Sequence, residues 1–337
     1  MDLEKRSAGF GAAILIFAVL LRLLQGTLVL PTYAFRPESD GNGLLRPPGI
    51  GVSAVETTVP PQTQPTVPVP PTTQPPLPQL PEPLRFQLAD VAHLTLRTAS
   101  DCGYYPDLTP LLLQPLSWDL RQAEPAVLII HSHACEGYTK MEGESYTELP
   151  NCRTTDTDYN MVAVGDALAR LLQAQGIGVI HDRQLHDGTS YTAAYSNARA
   201  SAEQILQQYP SIRLVLDLHR DAATLANGDR YATWATVDGQ PAAQFMFVVG
   251  TDYRNGNHAL WQENLALALK LQVLLEQRAP GITRPTSLRG SHFNQDLSVG
   301  ALLIEVGASG NTRDQVARAL PVLADAIAAL AQGAVGE

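Results

Sequence analysis

The chain has 337 residues, 45% of them hydrophobic, which is enough to bury a substantial core in one large domain or two. Its net charge of -10 and sequence pI near 5.3 argue against the clustered basic surface that a phosphate backbone or an anionic membrane face rewards. Nucleic acid is not an expected partner.

Residues 8–30 form an apolar stretch interrupted by Arg22 and Gln25 and preceded by Lys5 and Arg6. About 20 such residues span a bilayer as a helix, and the basic flank is expected to stay cytoplasmic, sending everything after Pro31 to the far side. The stretch is long for a signal peptide and no A-x-A site follows it, so residues 1–31 are read as a cytoplasmic tip and a retained single-pass anchor in the cell membrane. From 32 to 85 hydrophobic periodicity is slight, and eleven of the 25 prolines fall between Pro60 and Pro83. Such a segment buries too little apolar surface to offset its ordering entropy and is expected to be a disordered, extended tether.

The folded domain is expected over 86–337. Its first part, to residue 123, gives weak signals: a strand at His93–Arg97 and an apolar patch at Leu111–Leu113. Beyond it, strands at 126–131, 177–181, 213–218, 244–250 and 301–306 alternate with helices at 158–175, 193–208, 259–277 and 312–331. The helices rest on spacing, with Met161, Val164, Leu168 and Leu171 making one stripe and Val316, Leu320, Leu323, Ile327 and Leu330 another. Thr312 and Gln315 stand at capping-box spacing where the last helix opens. This alternation predicts an α/β fold with a mainly parallel central sheet flanked by helices. Of the three cysteines, Cys135 and Cys152 enclose a 16-residue loop that a disulfide would rigidify; buried or free thiols are the other reading.

Three short apolar runs end in chemistry. Leu128–Ile130 runs into His131, Ser132 and His133, Leu214–Leu218 into His219, and Leu302–Ile304 into Glu305. Parallel α/β sheets carry their chemistry at the carboxyl ends of strands, so the pattern points to a metal hydrolase. His133 and Glu136 have H-x-x-E spacing, which lets an imidazole and a carboxylate reach one ion. His131 faces the same way as His133 if the strand continues through Ser132, leaving either as the ligand. Asp217 is open to pairing with Arg220. Glu305, between Ile304 and Val306, is costly in a core strand unless paired or used, and burial would raise its pKa toward that of a general base.

The segments Ile130–Tyr138, Arg153–Asp156, Tyr159–Gly165, His181–Asp182 with His186–Asp187, Asp217–Asp221, Asn294–Ser298 and Glu305–Thr312 resemble the stage II sporulation protein P family, in family order from about residue 125 onward. That resemblance implies a zinc-dependent N-acetylmuramoyl-L-alanine amidase with a zinc amidase-like, phosphorylase/hydrolase-like fold. It would act on peptidoglycan during forespore engulfment, with endopeptidase cutting as a second activity. It also implies a membrane complex with stage II sporulation proteins D and M. Position by position, His133 and His219 match the metal histidines and Glu305 the catalytic glutamate. Glu136 is taken as the third ligand, with Asp156 and His131 as alternative ligands or supporting groups. Arg220 is assigned to the oxyanion or a peptide carboxylate, with pairing to Asp217 or Asp221 the other reading. His186, with His181 and Asp187 in the same loop, is assigned to substrate contact against plain surface polarity, and Asn294 and Gln295 to substrate contact against local loop capping. A non-catalytic cell-wall binding module and a zinc carboxypeptidase or deacylase acting on small substrates are the rival classes.

Overall fold

The computed structural model describes residues 85–333 apart from 119, 121–124, 223–226 and 255. The expected anchor at 8–30 and all but the last residue of the linker lie outside the described residues. Among the described residues no helix is long and apolar enough to cross a membrane.

The nine strands among the described residues are β1 Leu96–Thr98, β2 Val127–Ile130, β3 Val179–His181, β4 Leu214–Asp221, β5 Trp234–Val237, β6 Gln240–Ala243, β7 Phe245–Gly250, β8 Thr286–Arg289 and β9 Ala301–Ala308. Among the described residues five α-helices accompany them: α1 Leu108–Leu113, α2 Met161–Ala174, α3 Ala194–Gln208, α4 Trp261–Arg278 and α5 Arg313–Gly333. Seven strands form one sheet in the order β1-β8-β7-β9-β4-β2-β3, while β5 and β6 make a separate hairpin. Every neighbouring pair in the sheet is parallel except β7 with β9. The expected α/β architecture is therefore present, with one reversal in the middle of the sheet.

Local chemistry sets the helix starts. Asn160 caps α2 by accepting from Val162 N–H at 3.0 Å. Thr312 and Gln315 form the capping box that opens α5, with Gln315 N–H reaching Thr312 Oγ1 at 3.3 Å and Thr312 N–H reaching Gln315 Oε1 at 3.1 Å.

The two faces of the sheet are covered unequally, and this positions the site. Leu214, Leu216, Leu218, Leu302, Ile304 and Val306 point into the main core with side chains of α2, α4 and α5. The opposite row, with Leu128, Ile130, Val215 and Ala301, packs on Ala198 and Ala202 of α3. Alternation along β4 and β9 puts Asp217, His219 and Glu305 on that second row, past its apolar part.

The weakly signalled first part differs in detail from expectation. A 3₁₀ turn occupies Leu88–His93, and the strand follows it at Leu96–Thr98 rather than spanning His93–Arg97. The apolar patch is helix α1, which Asp107 caps by accepting from Thr109 N–H. Strands β5, β6 and β8 were not expected; all three are four residues long, too short for a periodic signal.

Candidate functional site

Parallel register places His219 of β4 directly beside Glu305 of β9, and Ile130 of β2 beside Asp217 of β4. Past Ile130 the chain leaves the sheet in a tight turn, closed by Glu136 N–H to His133 O at 3.1 Å. Asp217 anchors that turn, accepting from Ser132 N–H at 2.8 Å and from the Ser132 hydroxyl at 2.6 Å. The turn brings His133 and Glu136 over the ends of β4 and β9. The imidazoles of His133 and His219 stand edge to face with centroids 5.5 Å apart, and Glu136 Oε2 lies 3.5 Å from His219 Nδ1.

All four groups are removed from bulk water, Glu305 least so. Three atoms in this cluster are buried without a hydrogen-bond partner: His133 Nδ1, His219 Nε2 and Glu305 Oε2. Asp217 Oδ1 comes within 2.8 Å of His219 Nε2, yet the pair lacks hydrogen-bond geometry. Desolvation raises the Glu305 carboxyl to about 8, helped by the carboxylates of Glu136 and Asp221 and opposed by His219. Burial works against charge on His219, but Asp217, Tyr195 and Glu136 outweigh it and hold the imidazole well above its ordinary value. Glu136 is held below the carboxylate range despite its burial, by His219 and Arg220.

Around this centre lies a supporting layer. Asp187 sits 3.6 Å from His133 Nδ1, accepts from Cys135 N–H at 3.0 Å and is bound by Arg153 Nη2 at 2.6 Å. The ring of Tyr191 stacks on His133 with centroids 4.3 Å apart, and Tyr195, at the start of α3, stacks more loosely on His219. Sequence reading leaves Asp187 between substrate contact and plain surface polarity, and it gives the two tyrosines and Arg153 no individual role. The spacing of Tyr191 and Tyr195, four apart at a helix entry, is the one signal that marks them for the same side.

Several expected residues are placed elsewhere. His131 is not beside His133, because the strand ends at Ile130 and the rings diverge; its Nδ1 contacts Leu218 O at 3.0 Å and its Nε2 contacts His181 Nε2 at 2.9 Å. Asp156 is exposed, and its carboxylate accepts from Asp158 N–H next to the α2 cap. Arg220 pairs with neither Asp217 nor Asp221. Its backbone N–H and guanidinium meet Glu136, and the guanidinium also donates to Gly137 O and Asn151 O, so it positions Glu136 and is closed to an oxyanion. His186 is buried against Asp182 at 2.9 Å. Asn294 donates to Tyr195 O, while Gln295 bridges Gly250 N–H and Val248 O of β7. These three serve loop architecture. Cys102, Cys135 and Cys152 are free, buried thiols, and burial pushes Cys135 up to about 12, so the loop carries no disulfide.

Among the described residues, no three His, Cys, Asp or Glu side chains are drawn together tightly enough to form a ready-made metal centre. The donor set itself fits a divalent ion: two imidazoles, one carboxylate kept ionised, and nitrogens on both rings lacking a partner.

The fold and this cluster define an α/β protein with a histidine and carboxylate site at the strand ends. A family model, Stage II sporulation protein P (SpoIIP), matches residues 81–328. The chain belongs to that family. It is similar to Stage II sporulation protein P of Bacillus subtilis (strain 168), with 29% identity over 211 residues, 59% of this chain and 49% of that protein. The match thus spans about half the length of that curated relative. Solved structures it is similar to include the N-acetylmuramyl-L-alanine amidase Ami1 of Mycobacterium smegmatis, at 14% identity and a TM-score of 0.35 over 61% of this chain and 94% of that one. Another is the CwlD amidase of Clostridioides difficile in complex with the GerS lipoprotein, at 13% identity and a TM-score of 0.33 over 60% and 94%.

Proposed function

We propose that this protein is a zinc-dependent peptidoglycan hydrolase that cleaves the amide between N-acetylmuramic acid and L-alanine, working in sporulation. The observation that carries the reading is the convergence of His133, His219, Glu136 and Glu305 on one end of the sheet, with His133 Nδ1, His219 Nε2 and Glu305 Oε2 buried and unpartnered. Membership of the SpoIIP family supports the cell-wall substrate and the sporulation setting.

His133, His219 and Glu136 are the residues that would hold the ion. When bound, zinc would supply Lewis acidity to the scissile carbonyl and to the attacking water. The chain's own groups do the rest. Glu305 takes the proton from the attacking water and delivers it to the leaving L-alanine nitrogen, a cycle suited to a carboxyl whose burial lifts its pKa toward neutrality. Asp187 and Asp217 place a carboxylate beside each imidazole, and Arg220 keeps Glu136 ionised and aimed. Tyr191 shields the outer face of His133 from water.

The expected anchor and tether would hold this domain on the extracytoplasmic side of the cell membrane. Stage II sporulation proteins D and M are the expected partners there, on family grounds. Mass analysis of digested sacculi is the direct test. Free stem peptides with intact glycan strands, lost on chelation and restored by zinc, are the expected result; cleaved cross-bridges alone, or products indifferent to chelator, would overturn the reading.

A further inference from the structure

A cleft of about 550 Å³ opens beside the histidine and carboxylate cluster and shares Glu136 and Arg220 with it. Three guanidinium groups line it, those of Arg153, Arg220 and Arg230, and each has a carboxylate of its own, Asp187, Glu136 and Glu148 respectively. The charges are matched pair by pair, and what the cleft offers an anion is the guanidinium donors left over from these pairs.

The three arginines are not equally free. Arg220 is occupied by Glu136 and two carbonyls. Arg153 spends Nη2 on Asp187 and leaves its buried Nε without an acceptor, although a buried donor of this kind is costly to leave unmatched. Its guanidinium also lies over the Tyr191 ring, 5.1 Å from the centroid, and Tyr191 in turn covers His133. Arg230 stands across the cleft, partly exposed, with Nη2 on Glu148 at 2.7 Å. A planar guanidinium with donors to spare matches a carboxylate in two-pronged fashion.

We infer that this cleft is the peptide subsite of the enzyme, in which Arg153 and Arg230 hold a carboxylate of the acidic stem peptide while Tyr191 packs on its backbone beside His133. The inference rests on the amidase reading above and adds to it a charge requirement on the substrate. An amidated stem peptide should be a poorer ligand than the free acid.

Arg230 is the residue to test, because Arg153 also braces Asp187. The kinetics compare a muropeptide whose second residue is D-glutamate with the same compound amidated at that carboxylate, using the parent protein, Arg230→Gln and Arg230→Lys. The expected result for Arg230→Gln is a rise in KM of about tenfold on the acid with kcat changed less than about twofold, no change on the amide, and partial recovery in Arg230→Lys. Equal KM values for parent and Arg230→Gln on the acid would overturn the subsite and leave the amidase reading intact. If the parent cleaves neither compound, the amidase reading fails, and calorimetric titration with the free acidic peptide decides the cleft separately. Binding that weakens in Arg230→Gln sustains it, whereas absent or unchanged binding overturns it.

Discussion

His219 and Glu305 are cross-strand partners in a parallel register, so both side chains leave the sheet on the same face, one strand apart. A basic and an acidic group so placed would ordinarily neutralise each other, yet Glu305 Oε2 and His219 Nε2 are both buried without a hydrogen-bond partner. Asp217 and Glu136 hold the charge on His219, and that charge opposes the desolvation of Glu305 without overcoming it. The sheet thus holds a carboxyl ready to exchange a proton next to a ring flanked by two further carboxylates.

Replacing Glu305 by Gln removes the exchangeable proton while keeping shape and size. Muropeptide cleavage should fall by about 10²–10⁴-fold, with thermal stability preserved because an already desolvated carboxyl is exchanged for a neutral group. Bound zinc should remain at the parent level. Cleavage at the parent rate would remove Glu305 from its role, and lost zinc would recast it as a ligand.

Asp217→Asn addresses the support of His219, one of the residues proposed to hold the ion. The carboxylate takes two bonds from Ser132 and lies against His219, so the amide can satisfy only part of this arrangement. The expected outcome is destabilisation of about 1–3 kcal/mol in urea unfolding and a 10- to 100-fold weaker zinc affinity by competitive titration. Unchanged zinc affinity would make Asp217 a purely structural anchor of the turn.

Much of this arrangement was legible beforehand because it is written in strand ends. Apolar runs giving way to His131–His133, His219 and Glu305 are one-dimensional signals, and a parallel sheet aligns their ends. What could not be read is what depends on a turn. Whether Ser132 continues the strand decides if His131 faces the cluster or His181, and that is settled by Asp217, some 85 residues away. Likewise, Arg220 beside Asp217 and Asp221 suggested a local pair, but the bulge between His219 and Asp221 redirects the chain there, and Arg220 instead meets Glu136 and the loop carbonyls of Gly137 and Asn151. The reversed direction of β7 leaves no mark in an apolar run, because burial on both faces looks the same either way.

Gly165→Ala tests the packing of the diverted His131. In a helix interior this exchange normally gains up to about 1 kcal/mol of stability. Here a methyl group would overlap the rings of both His131 and His181, which fill the space over α2. Overpacking of this kind costs about 1–3 kcal/mol, so a net loss is expected and should be seen as a lower melting temperature. A stabilised variant would mean that the two rings separate freely.

Lys270 gives a pH dependence independent of the site. It is buried on α4, donates to Leu111 O at 3.2 Å and Leu112 O at 2.6 Å at the end of α1, and desolvation lowers it from 10.5 to about 8. Its folded-state pKa lies below the unfolded one. Below pH 8 both states hold the proton and the fold carries the whole cost; between about 8 and 10.5 the unfolded chain binds more protons, so stability rises with pH. A shift of this size corresponds to about 3 kcal/mol. Lys270→Met loses the two bonds but also the buried charge, so near neutrality the two proteins should differ little. Between pH 7.5 and 10, urea unfolding should show the parent gaining up to about 3 kcal/mol relative to Lys270→Met. Parallel stability curves for the two proteins across that window would mean that the carbonyls at the end of α1 hold the ammonium charged, and that its burial costs the fold nothing.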